Sequence, residues 1–380
     1  MKNKIKYVVA LFVILGLGII SINLFHPQKE QQIKGHIEVV VTDESYDFLT
    51  LCANKFMESN SKSTITITKI DNSSEFEWII DNTAKTKLSN IGEMDRLSLE
   101  NIGIDKLKKY EDENELLDTY EKNFAKYRID QVKYDGSAIG IPLTSRPLVL
   151  YIREDMLSQY NYDRADLNTW DDVIKVGKDI YEKSGGTVRI LNATGQDYKD
   201  LVDLLIMQNM SKDLTEDEIT YKVTSKIDEL KNNNILNLID GGEYLARVSS
   251  INGMREIMSI KEKCEWSAGT LPSLHPGTNK FYSADGSNLI ILNENTDNKR
   301  LIDKFITYVL TNTQDVTPFV KDGDFFSSYL YTYKNTEIED QVNNFTGASP
   351  LVVMSNVEEK SLPMENYDKY IKIKQNLITE

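Results

Sequence analysis

The chain is poor in the residues that most often carry chemistry. Its 380 residues include two cysteines, Cys52 and Cys264, and three histidines, His26, His36 and His275. One cysteine pair cannot build a disulfide scaffold in a chain of this length, and the plain reading is two buried free thiols. None of these five residues lies at metal-ligand spacing from another, so no metal site is expected. Gly-x-Ser-x-Gly, Gly-x-x-x-x-Gly-Lys and any locally supported Cys–His arrangement are missing. Neither an enzyme nor a cofactor is therefore signalled. Positive charge is also short: 44 Lys and Arg stand against 59 Asp and Glu, a formal charge of −15. Such a chain repels phosphate backbones, which argues against nucleic acid as a partner. Carboxylates are plentiful, but abundance in an acidic chain is not a glycosidase pair.

Long apolar runs are equally scarce, with one exception. Residues 7–25, YVVALFVILGLGIISINLF, are 19 positions without a charge, preceded by Lys2, Lys4 and Lys6. At about 1.5 Å per residue they nearly span a hydrocarbon core of about 30 Å. The basic flank puts the N-terminus inside and the rest outside. The run reads as a cleaved signal peptide or a retained anchor. Its length and the lack of a small-x-small site after it favour the anchor. Residues 26–35 are polar and aperiodic and read as a tether.

The remainder is too long for one core, so two lobes are the default. Residues 37–41 are a β-branched first strand. Residues 46–57 have helical apolar spacing, and 64–70 alternate as a strand. A helix over 76–88 and a short strand over 89–94 follow. Strand–helix alternation predicts an α/β lobe with a largely parallel sheet. Further along, Thr169 with Asp172 three residues on marks a helix start. Strands are expected over 188–191, 244–250, 266–271 and 288–292. Helices are expected over 199–210, 214–234, 298–311 and 364–377.

The most informative stretch is VKYDGSAIGIPLTSRPLVLYIREDML, residues 132–157. An apolar run stops at Pro142 and resumes after Pro147. Proline cannot donate to a ladder, so Pro142 belongs at a strand end or a crossing between lobes. This stretch resembles the crossing segment of the family 1 extracellular solute-binding proteins of ABC importers, the maltose-binding-protein group. NTWDDVIKVGKDI, WSAGTLPSLHPG, ADGSNLIILNENTDNKRLIDKFITYVLT and TDESYDFL resemble further blocks of the same family, in the same order, over about residues 37–333.

The resemblance implies a two-lobed, periplasmic-binding-protein-like α/β fold of type II behind an N-terminal membrane helix. It implies a first lobe of residues 36–141 and 286–311 and a second of 142–285 and 312–380. Hinge crossings are expected near 141–142, 282–285 and 311–314. The ligand would lie in the cleft between the lobes and draw them closed. The implied role is an extracellular, membrane-tethered monomer that captures a small polar solute, carbohydrate included, and delivers it to ABC permease subunits. The rival expectation is a degenerate binding fold that acts as a membrane-tethered sensor or scaffold.

Matching positions nominate the ligand contacts. Asp43 and Tyr46 lie in the first-strand loop, where a carboxylate accepts from hydroxyls and a ring stacks on a sugar. Asp95 and Arg96 match an Asp–Arg pair that touches saccharide hydroxyls. Arg146 stands where the maltose-binding member has an acid, which points toward an anionic ligand. Gln196 and Tyr198 match a cleft loop. Tyr244 and Trp266 are stacking candidates, although strand tryptophans are more often core. Asp285 lies at the second crossing beside Gly286, whose expected role is an unusual backbone angle. The family's aromatics are missing from SSINGMRE (249–256) and from SPLVVMS (349–355), so a long oligosaccharide is disfavoured.

Overall fold

The computed structural model describes residues 32–70, 90–103, 114–134, 136–292 and 298–378. The apolar segment 7–25, most of the tether and the helix expected over 76–88 lie outside the described residues. Among the described residues, no helix is long and apolar enough to cross a membrane.

The strands of the two main sheets, in chain order, are β1 (Lys34–Val41), β2 (Lys62–Lys69), β3 (Ile91–Asp95), β4 (Gly140–Pro142), β5 (Pro147–Arg153), β6 (Val188–Asn192), β7 (Leu236–Asn237), β8 (Glu243–Ser249), β9 (Trp266–Gly269), β10 (Tyr282–Ser283) and β11 (Ser287–Ile291). Two sheets divide them. The first has the order β2-β1-β3-β11-β4, and the second β7-β6-β8-β5-β9, with β10 also on β5. Each sheet is mixed. β1 runs parallel to β2 and β3, whereas β11 is antiparallel to β3 and β4. The largely parallel sheet expected for the first lobe is thus only half realised, because β11 returns from the other sheet rather than through a βα unit.

In β1 every residue from Val39 to Val41 is buried. Val39 and Val41 join a core with Phe48, Leu49 and Phe56 of helix Asp43–Ser59, while Val40 joins Met94, Leu99 and Ile290 on the opposite face. Such two-sided burial is why the strand reads as a β-branched run rather than an alternation. β5 plays the same part in the second sheet. Leu148, Leu150 and Ile152 enter one core, and Val149 and Tyr151 the other. Each such side chain contributes about 1.5–3 kcal/mol by burial. Helix Trp170–Lys183 starts where the sequence says. Asp172 N donates to Thr169 Oγ1 at 3.2 Å and Asp172 Oδ2 accepts from Thr169 N at 3.0 Å.

β11 lies between β3 and β4, although some 140 residues of chain separate it from β4. The chain must therefore leave the first sheet after Pro142, build the second, and return before Ser287. Those two passages touch. Leu143 N donates to Ser287 O and Ala284 N to Arg146 O, both at 2.9 Å. A third strand pairing, Phe326–Ser327 with Thr144–Ser145, lies alongside them. Helices Lys299–Thr311 and Thr313–Asp322 both pack on helix Asp43–Ser59. The first layer thus continues past Thr311, because Phe48 draws Phe319 and Phe325 against it at ring distances of 5.6 and 5.2 Å.

Arg128 binds these passages together from helix Lys126–Val132. Its fully buried guanidinium donates to Ser287 O at 2.7 Å, to Asn288 Oδ1 at 2.8 Å and to Ser328 Oγ at 3.3 Å. Gly286 sits at the closest approach. A Cβ there would lie 1.9 Å from the Thr144 carbonyl oxygen. Its φ is not positive, so the requirement for glycine is steric and not the unusual backbone angle expected from the sequence.

Candidate functional site

The C-terminal ends of β1 and β3 open onto a cavity of about 500 Å³ beside the two passages. This is where open α/β sheets place ligands. On the first-sheet side it is lined by Thr42, Asp43, Glu44, Glu93, Asp95 and Ser98. Thr144, Arg146, Asp285 and Ser287 come from the passages, and Ile371 and Lys374 from helix Tyr367–Ile378. No described lining residue is aromatic.

Glu93 organises the first-strand loop. Its Oε2 accepts from Thr42 N and Thr42 Oγ1, both at 2.9 Å, and from Ser45 Oγ. Asp95 ends β3 and caps helix Arg96–Ile102, accepting from Ser98 N at 2.7 Å. Asp43 pairs with Lys69 at 2.8 Å, which lowers its carboxyl. Asp285 accepts from Tyr367 Oη at 2.6 Å and lies 3.9 Å from Arg128; burial, with Asp95 nearby, raises its carboxyl. Glu44 has no ion pair or hydrogen bond among the described residues. It meets water inside the cavity yet is crowded by its walls. That crowding, with the charge of Glu93, lifts its carboxyl to about 7 against the pull of Arg146 and Arg255.

Behind Arg146 and Lys374, outside the cavity lining, the packing is built differently. Helix Gly195–Asn209 buries Asp197, Asp200 and Asp203 on one face. Arg247 pairs with Asp197 at 2.7 Å, Arg146 with Asp200, and Lys374 with Asp203 at 2.8 Å. Arg146 is thus already engaged, which removes the argument for an anionic ligand drawn from its charge.

Four sequence candidates line the cavity: Asp43, Asp95, Arg146 and Asp285. The others fall elsewhere. Tyr46 packs at the edge of the first core beneath Lys69. Arg96 donates to Gln131 O at 2.8 Å and lies over the Tyr367 ring at 5.5 Å. Gln196 donates to Asp200 at 2.8 Å. Tyr198 lines a different cavity, under Lys231. Trp266 is buried with Tyr244 at 6.1 Å and offers no ring face to a ligand, because β9 turns it into the core. Sequence reasoning missed Glu44, Glu93, Ser98, Thr144, Ser287 and Lys374. A carboxylate inside the apolar strand IGEMD was a usable signal for Glu93; Lys374 had none.

The model of the bacterial extracellular solute-binding proteins matches residues 39–346. The chain belongs to that family. Solved structures agree with this solute-binding assignment at the level of fold. Maltose-bound MalE3 of T. maritima aligns at a TM-score of 0.65 and 16% identity, covering 90% of this chain and 95% of that one. The sugar-binding protein MalE of Xanthomonas citri aligns at 0.68 and 14%, covering 90% and 96%. The galacto-N-biose-/lacto-N-biose I-binding protein of a Bifidobacterium longum ABC transporter aligns at 0.61 and 11%, covering 92% and 98%. The mixed α/β fold thus matches two-lobed binding proteins of the maltose-binding type. A lactose-binding protein of Rhizobium radiobacter is 36% identical over 72 residues. That match spans 18% of this chain and 17% of the relative's length.

Proposed function

We propose that this solute-binding protein captures a small, hydroxyl-rich, carbohydrate-like solute between two lobes and delivers it to an ABC permease. Capture takes place at the outer face of the membrane that residues 7–25 enter. The observation that carries the reading is the cavity itself, walled by the first sheet's loops, floored by both passages and closed by Arg146 and Lys374. Its threonine and serine hydroxyls and its carboxylates are groups that exchange hydrogen bonds with sugar hydroxyls. Its volume suits a ligand of one or a few rings. The sugar ligands named for the structural relatives support the same solute class.

We place the third crossing at Phe326–Ser327, with the first lobe extending through helix Thr313–Asp322. Closure then brings loop Thr42–Glu44 toward the second lobe, and the ligand stabilises the closed population through contacts made only there. The chain does no chemistry of its own in this reading.

The test labels the full-length protein with spin probes at Glu58→Cys and Lys222→Cys, exposed positions on helices of the two lobes. The expected result is a shortened label separation with a mono- or disaccharide and a matching rise in melting temperature. An unchanged distance and melting temperature across sugars, amines and small acids overturns capture. Uptake that proceeds normally without the protein overturns delivery.

A further inference from the structure

We propose that the captured solute is a cation, carrying at least one protonated amine that docks at Glu44 between the first-strand loop and β3. The inference rests on the capture reading and sharpens its substrate class. It follows from charge bookkeeping around the cavity. Of the five lining carboxylates, Asp43 is held by Lys69 and Asp285 lies beside Arg128. The two lining cations are each committed to a buried aspartate of helix Gly195–Asn209, Arg146 to Asp200 and Lys374 to Asp203. Glu44, Glu93 and Asp95 are left, with no described cation in ion-pair reach.

Two of those three are partly compensated. Glu93 draws three donors from Thr42 and Ser45, and Asp95 takes the Ser98 amide. Glu44 has neither donor nor cation. Water alone serves it in the open cavity, so an ammonium can meet this carboxylate in a charge-assisted hydrogen bond without displacing a protein partner. The walls and Glu93 nearby raise its carboxyl, in keeping with a place for added positive charge.

A metal ion would answer the charge but does not fit. Among the described residues no three acidic, histidine or cysteine side chains converge enough to hold one. An ammonium on a larger frame does fit, since it needs one or two carboxylates while hydroxyls reach Thr144, Ser287 and Ser98. None of the described lining residues is aromatic, and charge-assisted hydrogen bonds are what these residues offer a ligand.

The frame could be a sugar or an aliphatic chain, and the test separates them. Isothermal titration of the full-length protein at pH 6.5 and low salt compares glucosamine, N-acetylglucosamine, glucose, glucuronate and agmatine. The expected result is glucosamine or agmatine at least tenfold tighter than glucose, with acetylation of the amine abolishing the advantage. Agmatine alone retaining it assigns an aliphatic frame, and glucosamine alone an amino sugar. Glu44→Gln is expected to erase the preference. Glu58→Gln, exposed on the same helix and outside the cavity lining, is expected to preserve it. Glucose binding as tightly as glucosamine overturns the cation and leaves capture standing. Tighter glucuronate overturns the sign of the charge. Failure of every probe, with no label movement, overturns capture as well. If Glu44→Gln does not fold, the wild-type ranking of probes decides alone.

Discussion

Helix Gly195–Asn209 carries three aspartates, and each meets a cation from another part of the chain: β8, the first passage and helix Tyr367–Ile378. Loop Thr42–Glu44 and β3, which line the cavity, also carry three acids, Glu44, Glu93 and Asp95, and none has a cation in ion-pair reach among the described residues. The second set lines the cavity itself, whereas the first stands behind Arg146 and Lys374, which line it. Exposure sets Glu44 and Asp95 apart from the aspartates, whereas Glu93, as buried as they are, is met by donors from Thr42 and Ser45 instead of a cation. Asp197, Asp200 and Asp203 are each 1% exposed, and a buried charge without a partner costs several kcal/mol. Glu44 and Asp95 face the opening, where water or a ligand can serve. Paired aspartates therefore hold that packing together, and the two exposed acids are left for something that comes and goes.

Removing a cation from the paired set should do the most damage. Arg247→Met leaves Asp197 buried without a cation, with Asn192 Nδ2 its remaining side-chain donor, and should cost about 3–5 kcal/mol in urea unfolding. Asp197→Leu combined with Arg247→Met should recover most of that loss. A small effect from the single variant would mean that the two sets do not differ as described. Gly286→Ala drives a methyl into the Thr144 carbonyl and should cost about 1–3 kcal/mol. Thr169→Ala, on a helix that carries neither set, should cost about 1 kcal/mol through its lost cap, setting the scale for a purely local change.

The unpaired side should respond in the opposite sense. Glu44 binds its proton more tightly folded, near 7, than unfolded, near 4.5. Stability therefore falls as pH rises from about 4.5 to about 7, and the loss is complete above that window. Glu44→Gln should raise the melting temperature of the ligand-free protein at pH 8 and leave it unchanged at pH 4. A destabilised variant at pH 8 would place Glu44 among the paired acids.

What could be seen in the sequence was what depends on neighbours in the chain. Thr169 and Asp172 form their cap within four residues, and Pro142 ends β4 through its own missing N–H. Asp43 and Asp95 follow β-branched or apolar strands directly, so their place at strand ends was legible. Arg146 was found but misread, because Asp200, the partner that engages its charge, lies 54 positions away. Tyr198 and Trp266 depended on which face of an element turns inward, and short apolar runs do not reveal that. Lys374 reaches the cavity only because helix Tyr367–Ile378 docks on helices Gly195–Asn209 and Glu216–Asn232. That docking has no local signature.

The contact of Gly286 with the Thr144 carbonyl has a kinematic consequence. Where two straps press this close, they behave as a fulcrum. Displacement on rotation grows with lever arm, so groups beside the fulcrum, such as Ser287, travel little. In the closure proposed above, loop Thr42–Glu44 moves with the first lobe, and the rim bearing Glu44 approaches Arg146 and Lys374, which their aspartates already hold in place.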